Sequence, residues 1–535
     1  MAKNTKRNNS SRKAAVSKRV GHRAGASHKQ VSSRRQTTHR GLQVEATLKT
    51  TVLRTASGKK GVDVEVLTEA PTFVKPKRIH PRRFRPLVAE GEDTTLLVSA
   101  RAFAPQDMME KLAAAPGDDI TLVRNTTLDS PARQRTASNV GEPSVAAKDQ
   151  VVFYTGNWYA GVSTDGGNTF RFIDPARAFR NQDPPNSHFC CDQVVHYISK
   201  IDTFVWLLQY GPDTGDNIQR LAFAKTADVA QGRWRIFDVT TRMLGVQGAF
   251  LDFPDLAVGA NMLYVTTNVF PRVGRPGWAV IRIPLTSIGS GPVRVKVFLT
   301  MQMDSLRVAQ NCDKTAFFAG HVDTSTLRLF SWKEGASAPT SKDLKVSRWV
   351  DGNGYPSRTP DGRRWLDRAD SRITGATMRG SELWFAWGSN RGGANQHPKP
   401  FAQIAKIDSA TMTVIENLNI FDPNAAICYP ALSTNSNDEV GISYMIGGGD
   451  RFPSHVIGIL TGTRRELVTA KGDRGPLADP ETGKHEWGDY LTVRRHFANQ
   501  KLFVATGYTM QGAGDGSNRD ATPRFVIFGR SGDVS

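Results

Sequence analysis

From residue 118 onward, short apolar runs alternate with polar turns, and one pattern keeps returning. A polar or acidic residue opens it, a short apolar strand and a turn follow, and a strongly apolar or aromatic strand completes it. It appears as GEPSVAAKDQVVFYTGNWY from Gly141, CDQVVHYISKIDTFVWLLQY from Cys191 and FPDLAVGANMLYVTTNVF from Phe253. It returns as CDKTAFFAGHVDTSTLRLFSW from Cys312, DSRITGATMRGSELWFAWGSN from Asp370, YPALSTNSNDEVGISYM from Tyr429 and GDYLTVRRHFANQKLFVATGY from Gly488. Alternating apolar runs bounded by turn residues read as strands. Seven multi-strand units spaced by roughly 50 to 65 residues predict a β-propeller, because one small blade cannot bury both faces whereas a ring of blades can. The fold class expected is therefore all-β, with seven blades preferred and six the alternative, since the Cys312 unit is the weakest match. The strands ATPRFVIFGR (521–530) and DDITLVRNTTL (118–128) are expected to pair and close the ring. Helical patterning is scarce; QDMMEKLAAAP (106–116) is the best example and reads as a surface insertion.

The first residues break this picture. Residues 1–40 hold twelve Lys and Arg and no acid, the first carboxylate being Glu45, so much of the net charge of +20 belongs to this end. The segment is Ser/Asn/Lys/Arg-rich and cannot bury enough surface to offset its ordering entropy. The division expected is a disordered basic tail over 1–44, a transitional region with short strands and one helix over 45–117, and the propeller over 118–535. Through counterion release, residues 1–40 suit a non-specific polyanion, either nucleic acid or an anionic membrane surface. No apolar run is long enough to span a membrane, and no apolar h-region follows the N-terminal charges, so the expectation is a cytoplasmic monomer. Organellar import and non-classical export stay open. Four cysteines in 535 residues are no disulfide scaffold; Cys190 and Cys191 are read as buried free thiols in preference to a vicinal disulfide.

One octapeptide is specific. STDGGNTF (163–170) places Ser163, Asp165, Gly167 and Phe170 at the offsets of the Asp-box, Ser-x-Asp-x-Gly-x-x-aromatic, and so resembles the sialidase-like (BNR repeat) β-propeller superfamily. TADVAQGRW (226–234) is a degenerate copy, and TPDGRRW (359–365) a poorer one. The Asp accepts hydrogen bonds from turn amides and Gly supplies φ > 0, so the motif is a folding device. What the resemblance implies beyond fold is an arginine triad for a substrate carboxylate, a Tyr nucleophile activated by a Glu, and an Asp acid/base. Arg372, Tyr429, Glu486, Asp489, Tyr490 and Arg494 are the candidates for those roles. Phe84-Arg85-Pro86 echoes an early motif of the family but lacks the residue between Arg and Pro.

A second set of candidates comes from the repeat itself. In a propeller the first strand of each blade lines the channel, and alignment of the units puts Glu142, Asp192, Asp255, Asp313, Asp370 and Asp489 near its start, with Tyr429 in the remaining blade. Carboxylates crowded there need a cation, an arginine or protonation to relieve them; Ca2+ is the cation that suits an oxygen-rich ring. The leading expectation is a propeller that binds a carbohydrate or other small polar ligand at this mouth. Exo-sialidase-type glycoside hydrolysis is the first alternative, and a scaffold tethered by its basic tail the second.

Overall fold

A computed structural model of the chain describes residues 62–72, 101–103 and 119–534, apart from 186, 213–215, 274, 289–292, 294, 301–304, 353, 480–482 and 513–520. The expected tail and the expected helix over 106–116 lie outside the described residues.

The fold is an all-β propeller of seven blades. Blades I to VI cover 144–173, 187–240, 250–300, 307–345, 373–420 and 426–470; each is a four-stranded antiparallel meander in chain order from the axis outward. Blade VII takes its three inner strands from 493–530 and its outermost from Ile120–Thr127, which pairs antiparallel with Thr522–Arg530. The ring is thus closed by the pairing expected from the sequence. The seven first strands contact one another in order, and the last meets the first. Val62–Asp63 adds a fifth strand to blade II, pairing with Arg233 and Trp234, and Leu67 bridges to Phe172 of blade I. Arg101–Phe103 runs parallel to Leu418–Ile420 at the outer edge of blade V. Among the described residues, no helix is long and apolar enough to cross a membrane.

The core lies between blades. Val194, Leu207 and Leu221 of blade II pack with Leu256, Val265 and Ile281 of blade III. Phe298 of blade III packs in the same way on Phe318 and Phe330 of blade IV. Second strands are therefore buried on both faces: all nine residues of Val440–Gly448 and all seven of Phe503–Thr509 are buried. His321, His397 and His455 are buried; His321 sits against Trp349 and Trp387.

The octapeptide forms the turn between the third and fourth strands of blade I. Ser163 Oγ accepts from the Gly167 amide at 2.8 Å, and Asp165 Oδ1 accepts from the amides of Asn168 and Thr169, both at 3.0 Å. Partial burial raises the Asp165 pKa, but the hydrogen bonds from Thr169, Ser163 and Asn168 outweigh it and hold the carboxyl at about 2. Phe170 turns inward onto Tyr154 and Phe525, whose ring lies against Gly167. The 226–234 copy occupies the equivalent turn of blade II, where Asp228 pairs with Arg233 and Trp234 is buried. The 359–365 copy lies in the connection between blades IV and V.

Two cysteines depart from expectation. Cys190 and Cys191 form a vicinal disulfide, not free thiols, whereas Cys312 and Cys428 are buried and free. The pair sits in the stretch of the first strand of blade II where the register with the second strand shifts, between Phe189 and Gln193.

Gly167 has φ +83°, and a Cβ there would lie 2.1 Å from the Phe525 ring. We expect Gly167→Ala to lower stability by about 1–3 kcal/mol. Gly335→Ala, which meets nothing within 4 Å, is expected to stay within about 0.5 kcal/mol. Denaturant unfolding of the two variants checks this; equal effects would remove the steric account of the turn.

Candidate functional site at the channel mouth

The first strands have one end at a mouth of the channel, and towards that end three of them share an unusual step, just before Ser144–Lys148 and within Phe250–Val258 and Ala426–Thr434. Glu142, Phe253 and Tyr429 each precede a proline and each has positive φ, at +42°, +51° and +58°. Non-glycine residues rarely adopt this region, and the residue before a proline is restricted further. Such steps cost on the order of 1–3 kcal/mol each and concentrate at functional sites. In blades III and VI the step coincides with a register shift, between Asp252 and Asp255 and between Cys428 and Ala431, and bulges of this kind re-aim side chains. All three side chains reach the same place.

That place is a knot of carboxyls and guanidiniums. Asp489 accepts from Arg368 at 3.2 Å and Arg372 at 3.1 Å. Arg372 also holds Asp370 at 2.8 Å and lies 4.1 Å over the Phe253 ring, and Arg368 reaches Glu486 at 3.6 Å. Glu142 accepts from Asn157 Nδ2 at 2.9 Å and from the Asp489 amide at 3.2 Å. It also shares a hydrogen bond with Asp192. Asp252, held by Gln209 at 2.9 Å, completes the group. Solvent still touches the knot: the Asp370 side chain is 26% exposed and that of Arg368 22%.

Six carboxyls face two guanidiniums, and the protonation pattern follows. Burial, then the Asp489 charge, pushes Glu142 up to about 7. Burial, then Glu142 and Asp252, drives Asp192 well above the usual range, so Asp192 keeps its proton and donates to Glu142. Asp252 and Asp370 are also raised by burial, against the pull of Arg372. Asp489 goes the other way: burial opposes ionisation, but Arg368 and Arg372 hold it low. The mouth therefore carries proton donors and an ionised carboxylate side by side.

Some polar atoms here have no partner among the described residues. Asn157 Oδ1, Asp489 Oδ1 and the Tyr429 hydroxyl are buried without a hydrogen bond. Asp489 and Arg368 are among the charges that act on the Tyr429 hydroxyl.

The sequence candidates divide. Glu142, Asp192, Asp370, Asp489, Arg372, Tyr429 and Glu486 come together. Tyr490 is buried and donates to the Gln193 carbonyl at 3.3 Å. Asp255 lies apart from the knot, paired with Arg307 at 2.9 Å and Arg494 at 3.8 Å. Asp313 is exposed, and its carbonyl accepts from the Ala260 amide in an inter-blade contact. Alignment by the first polar residue missed Asp252, which immediately precedes the Phe253-Pro254 step; alignment on the three prolines would have put Phe253 level with Glu142 and Tyr429, with Asp252 one residue before it. Arg368 escaped because it lies in a connection, two residues before Asp370. The acids here are compensated by Arg368 and Arg372, and among the described residues no group of three or more His, Cys, Asp or Glu is placed to hold a metal ion.

No protein-family profile matches the chain, and no curated protein matches its sequence. Solved structures similar in fold include the Pan2 WD40 domain of Neurospora crassa, at 11% identity over 77% of this chain and 96% of that one, TM-score 0.38. The alpha-L-arabinofuranosidase of Fusarium graminearum is 8% identical over 72% of this chain and 92% of that one, TM-score 0.36. Trypanosoma rangeli sialidase is 14% identical over 61% of this chain and 55% of that one, TM-score 0.33. Likenesses this distant carry no residue role, ligand or reaction to this chain.

A pH test follows from Glu142. Its folded pKa of about 7 stands above the ordinary 4.5, so the folded state binds the extra proton between those values and wild type loses stability as pH rises through that window. Glu142→Gln is expected to remove this slope, leaving the variant's thermal midpoint relatively higher at pH 8 than at pH 4.5. Parallel midpoint–pH curves for the two proteins would count against the assignment.

Proposed function

We propose that the mouth binds a small, hydroxyl-rich ligand of carbohydrate type. The observation that carries this reading is the convergence of three strained pre-proline residues from blades I, III and VI on one partly solvated cluster. Strain held in three separate blades around one cluster of ionised and protonated groups is the signature of a site. A polyol suits it chemically. Its hydroxyls can donate to Asp489 Oδ1 and Asn157 Oδ1 and accept from Tyr429 and the two guanidiniums. Trp365 packs edge-to-face on Tyr429 and on Trp487, which stacks on Tyr508, and this row of rings limits how far that wall can yield.

Titration of the purified chain against a panel of mono- and oligosaccharides, sialosides included, tests this. Tyr429→Phe and Arg368→Gln are expected to weaken binding at least tenfold, on the order of 1.4 kcal/mol, in protein that still unfolds cooperatively. Failure of a folded protein to bind any glycan at millimolar concentration would sink the reading.

A second reading, glycoside hydrolysis, is favoured by one further observation. Environments that push neighbouring carboxyls apart in pKa separate acid from base: Glu142 and Asp192 keep protons near neutrality while Asp489 stays ionised. In this version Glu142, with Asp192, protonates a leaving oxygen and Asp489 faces the reacting carbon. Arg368 and Arg372 are both engaged with Asp489, so a substrate carboxylate would have to compete for them. Turnover of fluorogenic aryl glycosides is then expected to fall as pH rises past about 7 and to vanish in Asp489→Asn. A folded chain that binds sugars and turns over none of them would leave binding alone.

A further inference from the structure

The first strands run on from the acidic mouth to a second mouth. On blade II His196 follows Asp192, on blade VI Ser433 follows Tyr429, and on blade VII Arg494 and Arg495 follow Asp489. Four to six residues at about 3.3 Å each separate the two ends by roughly 13–20 Å. A small cavity opens here, lined by His196, Gln310, Asn311, Ser433, Arg494 and Arg495 among others, with room for little more than one water molecule.

The charge at this end is reversed. Arg307 and Arg494 share a single carboxylate, Asp255, and both are buried, at 7% and 6% exposure. The Asp255–Arg494 separation of 3.8 Å is beyond hydrogen-bond range. Arg494 donates through Nη1 to its neighbour's carbonyl at 3.3 Å, and its Nε is buried with no partner among the described residues. Arg495 donates to the carbonyls of Thr434 and Asn435, at 3.1 and 3.2 Å. His196 adds no negative charge: its ring nitrogens face the Gln310 side-chain oxygen and the Tyr197 carbonyl. Burial, and then the Arg494 charge, hold its pKa at about 4. Two guanidiniums thus line the cavity; Asp255, beside Arg494, is already shared with Arg307, and the carboxylate whose charge reaches Arg495 is that of the exposed Asp438. A buried surplus cation is costly unless a counter-charge joins it.

We propose that this second mouth is a binding site for a small inorganic anion of halide size, held by Arg494 and Arg495. Size selects the class: a space for one water-sized body admits a halide, whereas phosphate or a sugar carboxylate brings several heavy atoms. The guanidinium N–H groups supply the donors, and Ser433 and Asn311 form the polar wall. The proposal is independent of what the acidic mouth binds.

The test uses the full chain and bromide as the probe. Sodium bromide is titrated at constant ionic strength against sodium gluconate, whose anion is too large to enter, and the thermal midpoint is followed. A saturable rise is expected for wild type, with the apparent affinity reduced at least tenfold in Arg494→Gln and in Arg495→Gln. The second variant keeps the test open should the more buried Arg494 prove necessary for folding. Crystals soaked in bromide are expected to show anomalous density against the Arg494 guanidinium. A midpoint that follows ionic strength alone, a response to phosphate with none to bromide, or bromide density absent from the cavity would each overturn the proposal.

Discussion

Seven strand starts meeting around one axis force their polar side chains into a common small volume, and charge in that volume must be compensated. Six carboxyls at the acidic mouth cannot all ionise there. Two guanidiniums, Arg368 and Arg372, are spent chiefly on Asp489 and Asp370, and what they do not cover is relieved by protons on Glu142 and Asp192. The reverse holds at the other end, where Asp255 is divided between Arg307 and Arg494. The channel is thus polarised from end to end.

The blades meet this constraint because their own packing is rigid. Core clusters bridge neighbouring blades, so moving one first strand disturbs two interfaces. That rigidity can hold three pre-proline residues at positive φ, which the isolated sequences would relax. Close packing carries the cost of those steps and aims Glu142, Phe253 and Tyr429 at one point. Chemistry at the centre is therefore bound to apolar packing outside it, through the backbone of the first strands.

The Asp-box-like turn serves a different end of the blade. Ser163 and Asp165 are occupied with turn amides, and Phe170 with the Tyr154 and Phe525 rings, which leaves them no part at the axis. Fold and site are written in separate residues. The residues of that turn say nothing about the ligand, and the residues that form the mouth belong to no recognisable motif.

Much of the fold was legible in the chain because it rests on local pattern: strand runs, turn residues and a repeat of nearly constant length. The pairing of 118–128 with 521–530 was legible too, since a ring with an open edge is unstable. The site was legible only in part. Glu142, Asp192, Asp370 and Asp489 stand at equivalent places in their repeats, so alignment brought them together. Asp313 occupies a similar place in the sequence yet faces solvent, and Asp255 is displaced along its strand by the shift between Asp252 and Asp255. Arg368 approaches from a connection whose path no periodicity describes. The Cys190–Cys191 bridge depends on a local backbone path that two adjacent cysteines do not specify. Periodic burial along one chain determined the blades; which charges meet on the axis was decided by the tertiary structure, because register shifts and connection paths set side-chain positions that repeat spacing cannot.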